Sequence, residues 1–190
     1  MKKTIVAVMV AASAVLSAQA MAANTAEVTV LGEVNDSSTS CVVTPTGTLN
    51  NGIVRLTSVT TSEANAQTAN TLFKSQKFGF DVSDCAKGSD KPATGLTVAV
   101  TGSTSTNATI LDNTADDGAA GIGIGIAKVS DGSRVAFDGS QTMDETYTDG
   151  EVTSLNYYAG YVKVNDATTV TEGPVKGVAT FTIDYTSADA

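Results

Sequence analysis

The segment Val28-Thr29-Val30-Leu31-Gly32-Glu33-Val34 alternates between residue types and ends ahead of the first cysteine, Cys41. Successive residues of a strand point to opposite faces. One face of this strand would carry the small and apolar residues Val28, Val30, Gly32 and Val34. The other face would carry Thr29, Leu31 and Glu33. The residues alone favour a first strand that belongs to its own domain.

The same alternation recurs along the rest of the chain, where helical periodicity is nearly absent and Thr, Ser, Val, Gly and Asn dominate. The alternating segments are Phe78–Val82, Leu96–Val100, Ile122–Ile126, Tyr157–Val164 and Ala179–Tyr185. Turn signals separate them at Asn50-Asn51-Gly52, Lys87-Gly88-Ser89-Asp90, Asp116-Asp117-Gly118, Asp131-Gly132 and Asp149-Gly150. Strands of this length and spacing predict an all-β sandwich of two sheets. Residues 62–70 are compatible with either a short helix or a long loop.

The N-terminus has the three parts of a secretory signal peptide, namely Lys2 and Lys3, an apolar run over Ile5–Leu16, and small residues after it. The run is shorter than the roughly 20 residues that a membrane-spanning helix needs. We therefore predict that residues 1–22 form a signal peptide that is removed on export. Ala20-Met21-Ala22 and Ala18-Gln19-Ala20 both satisfy the cleavage rule. The remaining residues fit one domain.

Two cysteines occur, Cys41 and Cys85. In an exported chain an even pair predicts a disulfide. The alternative is a pair of free redox thiols, which the absence of a CxxC spacing and of any histidine disfavours. The net charge of −9 makes nucleic acid and anionic membrane surfaces poor partners.

Catalytic and metal-binding patterns are missing. A sequence without histidine excludes Ser-His-Asp catalysis and His-ligated zinc. Gly121–Gly125 does not fit a phosphate-binding loop, and it predicts a strand whose glycine face lies against a close neighbour. The carboxylate pairs Asp116–Asp117 and Asp144–Glu145 have polar surroundings, and Asp112–Gly118 departs from a calcium loop because its glycine stands seventh. We therefore predict no enzymatic activity, no cofactor and no metal.

Three tyrosines, Tyr157, Tyr158 and Tyr161, would suit a glycan-stacking platform or the packing of a core. Aromatic residues make up 5% of the chain and tryptophan is absent. Packing is the favoured interpretation.

Several motifs in this order resemble those of structural subunits of chaperone–usher fimbriae, the type 1 fimbrial major pilins in particular. The pattern apolar-x-apolar-x-Gly-x-Val before the first cysteine is matched by Val28, Val30, Gly32 and Val34. The second cysteine closes a strand with Phe78, Phe80 and Val82. The later patterns are matched by Leu155, Tyr157, Ala159 and Tyr161, and then by Ala179, Thr180, Phe181, Ile183 and Tyr185. The family's tyrosine is usually next to last, whereas Thr186–Ala190 follow it here.

The resemblance implies an incomplete immunoglobulin-like β-sandwich that is completed by a donor strand from a neighbouring subunit. Residues 23–39 would be the donor-strand extension and residues 40–190 the pilin domain. The groove-facing donor residues would be Val28, Val30, Gly32 and Val34. The edge strand that contacts the chaperone and borders the groove would carry Ala179, Phe181, Ile183 and Tyr185.

The implied partners are neighbouring pilin subunits in a homopolymer, a periplasmic chaperone and an outer-membrane usher. The chain would pass through the periplasm to a fimbria on the bacterial cell surface that mediates adhesion. The alternatives are a minor fimbrial adaptor subunit and a soluble secreted glycan-binding β-sandwich protein.

Overall fold

The computed structural model describes residues 26–33, 41–49, 52–85 and 91–187. The predicted signal peptide, Val34 and the turn at Lys87–Asp90 lie outside these ranges. The described residues form one short helix, α1 (Thr61–Asn65), and nine strands. In chain order the strands are β1 (Ala26–Glu33), β2 (Val42–Thr46), β3 (Ile53–Leu56), β4 (Leu72–Ser83), β5 (Ala93–Gly102), β6 (Ile122–Lys128), β7 (Asp138–Thr146), β8 (Thr153–Lys163) and β9 (Val175–Ser187).

The strands form two sheets that enclose one core, which confirms the predicted all-β sandwich. The first sheet has the order β3-β1-β9-β5-β7, and the second has the order β2-β4-β8-β6. Strand pairs in both sheets are antiparallel, with the exception of β1 and β9, which run parallel. The chain alternates between the sheets, so each sheet depends on residues that are distant in sequence.

The core is built from the alternating inner faces of the strands. Four aromatic side chains meet at its centre, with ring centroids 5.0 to 6.5 Å apart: Phe78, Phe80, Tyr157 and Phe181. Edge-to-face and tilted pairs at this separation stabilise a core beyond the burial of their area. Tyr157 and Tyr161 are buried, whereas Tyr158 is 37% exposed. Packing is therefore the role of two of the three tyrosines, and they form no glycan-stacking platform.

The segment that the sequence left undecided between helix and loop begins with the five-residue helix α1 and continues as turns. The Thr60 hydroxyl accepts a hydrogen bond from the Glu63 N–H, which caps the helix. At the other end, the buried Lys163 ammonium donates to the Asn65 carbonyl oxygen. This charge at the C-terminus complements the helix carbonyls and holds α1 against β8.

The glycine-rich strand β6 is at the end of the second sheet, and its glycines lie against a close neighbour, as predicted. A Cβ on Gly123 would come 2.6 Å from Ile110 Cγ2, so the segment that precedes β6 covers its glycine face. The bridge between Leu111 and Ile124 continues this cover. Among the described residues, no helix has the length and apolar character that crossing a membrane requires.

Candidate functional site

The strand β1 lies between β3 and β9 in the first sheet. It pairs antiparallel with β3 from Ala26–Leu56 to Thr29–Ile53. It pairs in parallel with β9 over its whole length, from Ala26–Val175 to Glu33–Thr182. Removing β1 would leave the backbone groups of β3 and β9 that now pair with it without a partner strand. We call the space between β3 and β9 the strand groove.

The inward side chains of β1 complete the core. Val28 is 0% exposed and Val30 is 2% exposed, whereas Glu27 and Thr29 are half-buried on the other face. The alternation predicted from the sequence is therefore confirmed at Val28, Thr29 and Val30, and Glu27 extends it by one residue. Burying two valines contributes on the order of 4 kcal/mol, an upper estimate for a chain whose unfolded state is itself compact.

The register of β1 on β9 sets small residues against large ones. Val28 is opposite Gly177, Val30 is opposite Ala179, and Gly32 is opposite Phe181. A Cβ on Gly177 would lie 3.2 Å from Ile124 Cδ1 and 3.3 Å from Leu111, so a side chain at that position would require these neighbours to shift. Phe181, which is opposite Gly32 in this register, has its ring 5.0 Å from that of Phe80 and 5.1 Å from that of Tyr157. The valines of β1 therefore pack where β9 is small, and its glycine lies where β9 is bulky.

Of the four sequence-predicted residues of β9, Ala179 and Phe181 are opposite β1 in the strand groove, whereas Ile183 and Tyr185 lie past Thr182, where the described pairing with β1 ends. Ala179, Phe181 and Ile183 are fully buried, and Tyr185 is half-buried against the core. β9 lies between β1 and β5, with Ile183 opposite Val98. In the single chain the strand groove is occupied by the chain's own β1. Occupation by a neighbour's strand stays a prediction, and Val34 lies outside the described residues.

The predicted disulfide is present and joins Cys41, just before β2, to Cys85, just after β4. The buried Tyr147 is part of the same end of the sandwich, because its hydroxyl oxygen accepts a hydrogen bond from the Cys85 N–H at 3.1 Å. An N–H this deeply buried is costly to leave unpaired. Tyr147 therefore fixes the strand end that carries the disulfide, a role that no sequence pattern indicated.

A cavity of about 260 Å³ lies at the end of the strand groove where β1 begins. Val175, one of the two residues that pair with Ala26, lines it. The other lining residues include Val59, Thr60, Ala64, Tyr161 and Val170. The cavity is mainly apolar and continues the path of the strand groove beyond Ala26.

Within the described ranges, the carboxylates considered above as catalytic or metal-binding candidates lie at or near the surface. Those ranges contain no cluster of three or more His, Cys, Asp or Glu residues that could hold a metal ion. Asp116, Asp117 and Asp144 are exposed, and Glu145 forms an ion pair with Lys128 at 2.6 Å. Desolvation raises the pKa of the buried Tyr157 hydroxyl, and it raises the pKa of Tyr161 to about 12. Neutral tyrosines at these positions are suited to packing, and not to proton transfer near neutral pH.

Comparison with known proteins agrees with this geometry. Residues 27–186 match the family model described as "Fimbrial protein". The rod subunit PapA of the P pilus is similar in structure, with 22% sequence identity, a TM-score of 0.58, and coverage of 77% of this chain and 99% of PapA. A chain from a chaperone–usher pilus structure concerned with rod uncoiling shows 21% identity, a TM-score of 0.56, and coverage of 77% and 87%. These likenesses establish the fold. Among curated proteins, none matches the sequence.

Proposed function

The chain belongs to the fimbrial protein family, and we propose that it is a shaft subunit that polymerises by donor-strand exchange. In this proposal the β1 segment of one subunit leaves its own sheet and fills the strand groove of the next. The observation that carries the proposal is the position of β1. It is an N-terminal strand inserted between β3 and β9, where its valines complete the core.

The position of β1 in its own chain is compatible with exchange between chains. The same valines would fill the same groove, so the packing that ends when β1 leaves its own sheet forms again in the assembly. The balance between the two states then depends on chain connectivity and subunit concentration, as in domain swapping. Because the contact is head-to-tail and does not close on itself, its repetition produces a filament.

The exchange requires protection of the open subunit. With β1 withdrawn, the edges of β3 and β9 expose unpaired backbone groups next to an apolar core, and such edges favour aggregation. A periplasmic chaperone that lends a strand would cover them, and an outer-membrane usher would pass the subunit on to the growing fibre. The subunits would then stand on the cell surface in a fimbria that mediates adhesion.

The test is removal of residues 24–35 from the gene in cells that carry the cognate chaperone and usher. The shortened subunit is expected to co-purify with the chaperone, because its own groove is intact, and to be absent from fibres. Electron microscopy of cells with the full gene, the shortened gene and no gene provides the measurement. Fibres of normal number and length from the shortened gene would contradict donor-strand exchange. Fibres in cells without the gene would contradict the role of shaft subunit.

A further inference from the structure

We propose that Gly52, because it has no side chain, allows the backbone of the inserted strand to lie close to β3 in the strand groove and sets that distance. For a strand that a neighbouring subunit supplies, this inference rests on the proposed function. Gly52 is buried and immediately precedes β3. Its φ of +89° lies in the region that glycine adopts most easily. Its carbonyl oxygen accepts a hydrogen bond from the Val30 N–H at 2.7 Å.

The backbone of β1 passes directly over Gly52. A Cβ at position 52 would overlap the Val30 carbonyl oxygen and would lie 3.3 Å from the Val30 carbonyl carbon. Apart from the two chain neighbours of Gly52, no other heavy atom of the described residues comes within 4 Å of that Cβ. A methyl group here would therefore collide with the strand and with no other described part of the core.

The contact involves main-chain atoms of the strand alone. A strand of any sequence that follows the path of β1 would contact Gly52 in the same way. The role of Gly52 therefore does not depend on the side chains of the inserted strand. The buried valines determine which strand sequence fits the groove. Gly52 determines whether the backbone of any strand can come this close to β3. This role is distinct from the requirement for positive φ, which other glycines of the chain share.

Gly150 provides a matched control. Its φ is +79°, and a Cβ added there would meet no heavy atom within 4 Å. Gly150→Ala therefore introduces comparable backbone strain with no collision. The difference between Gly52→Ala and Gly150→Ala isolates the effect of the overlap with Val30.

The first measurement is hydrogen exchange on the exported full chain, resolved to peptides that cover β1, β5 and β8. Gly52→Ala is expected to speed exchange in β1 about tenfold or more over Gly150→Ala, with β5 and β8 still protected, because the strand is released locally. Equal protection of β1 in the two variants would overturn the proposal. If Gly52→Ala does not yield folded protein, Gly52→Asn adds a Cβ in a residue that tolerates positive φ.

The second measurement follows uptake of a fluorescent synthetic peptide of residues 24–35 by the same full-length variants. The wild type and Gly150→Ala are expected to take up the peptide as β1 opens, and Gly52→Ala to take it up about tenfold less. Wild-type uptake by Gly52→Ala would overturn the role of Gly52 in admitting a strand. Failure of the wild type to take up peptide would count against donor-strand exchange, while the hydrogen-exchange comparison would still decide the role of Gly52 in seating β1.

Discussion

The substitution Val30→Asp tests the strand groove most severely. Val30 is 2% exposed, and its loss removes about 2 kcal/mol of apolar burial. Burying an unpaired carboxylate costs several kcal/mol more. The chain can avoid burying the carboxylate by releasing β1 from the sheet. The measured fall in the free energy of unfolding is then the smaller of two costs, that of burying the carboxylate and that of releasing β1. We expect a fall of about 4 kcal/mol in the free energy of unfolding, a large part of the 5 to 15 kcal/mol typical of a domain.

The matched control is Thr29→Asp, which places the same carboxylate one residue away on the half-buried outer face, where Glu27 also lies. We expect this variant to lose no more than about 1 kcal/mol. Urea unfolding followed by circular dichroism measures both variants at the same pH and salt concentration. Equal losses for the two variants would refute the assignment of Val30 to the strand groove.

The pH dependence of the stability of Val30→Asp distinguishes a variant that buries the new carboxyl group from one that releases β1. A buried aspartic acid has a higher pKa in the folded state than its unfolded value of about 3.9, so the folded state holds the proton at higher pH. Stability would then decline as the pH rises from about 4 towards the folded pKa. A variant that releases β1 instead would lose stability almost independently of pH in this range.

Three further perturbations test other parts of the sandwich. Replacing Cys41 and Cys85 together by alanine opens a loop with a sequence separation of 44 and should lower the free energy of unfolding by about 4 kcal/mol on the chain-entropy model; an unchanged urea midpoint would contradict it. Tyr147→Phe leaves the buried Cys85 N–H unpaired and should cost about 1 to 3 kcal/mol, whereas Tyr158→Phe at an exposed position should cost almost nothing. Burial raises the pKa of Tyr161 to about 12, so the tyrosine ionises first in the unfolded chain and stability should decline above pH 10. Tyr161→Phe should make that decline smaller. The same loss of stability with pH in the variant and the wild type would show that Tyr161 does not contribute to it.

Period-2 alternation was enough to predict which faces of the strands are buried. It identified Val28 and Val30 on β1, and Ala179, Phe181 and Ile183 on β9, because a strand with one apolar face has a single way to bury it. The disulfide was predicted from the even number of cysteines together with the predicted signal peptide. These features depend on local sequence and on composition.

The alternation of residues along a strand does not predict which strands pair with each other, or which residues distant in sequence come into contact. Alternation gives the face of a strand but not its neighbour, so nothing in the sequence placed β1 parallel to β9. The contact of Tyr147 with Cys85 joins residues 62 positions apart, and no periodic pattern records it. Asn50-Asn51-Gly52 was predicted to be a turn, yet the overlap of a Cβ at Gly52 with Val30 follows from the tertiary packing alone.

Cross-linking of isotope-mixed fibres shows whether β1 fills a neighbour's strand groove in the fibre. Fibres are assembled from equal amounts of ¹⁵N-labelled and unlabelled subunits that carry a photo-cross-linking residue at position 29, on the outer face of β1. Mass spectrometry then identifies cross-linked pairs between β1 and β9 peptides. Donor-strand exchange predicts labelled–unlabelled pairs at the frequency that random assembly gives. Pairs in which both peptides always carry the same label would show that each subunit keeps its own β1, and would contradict the account.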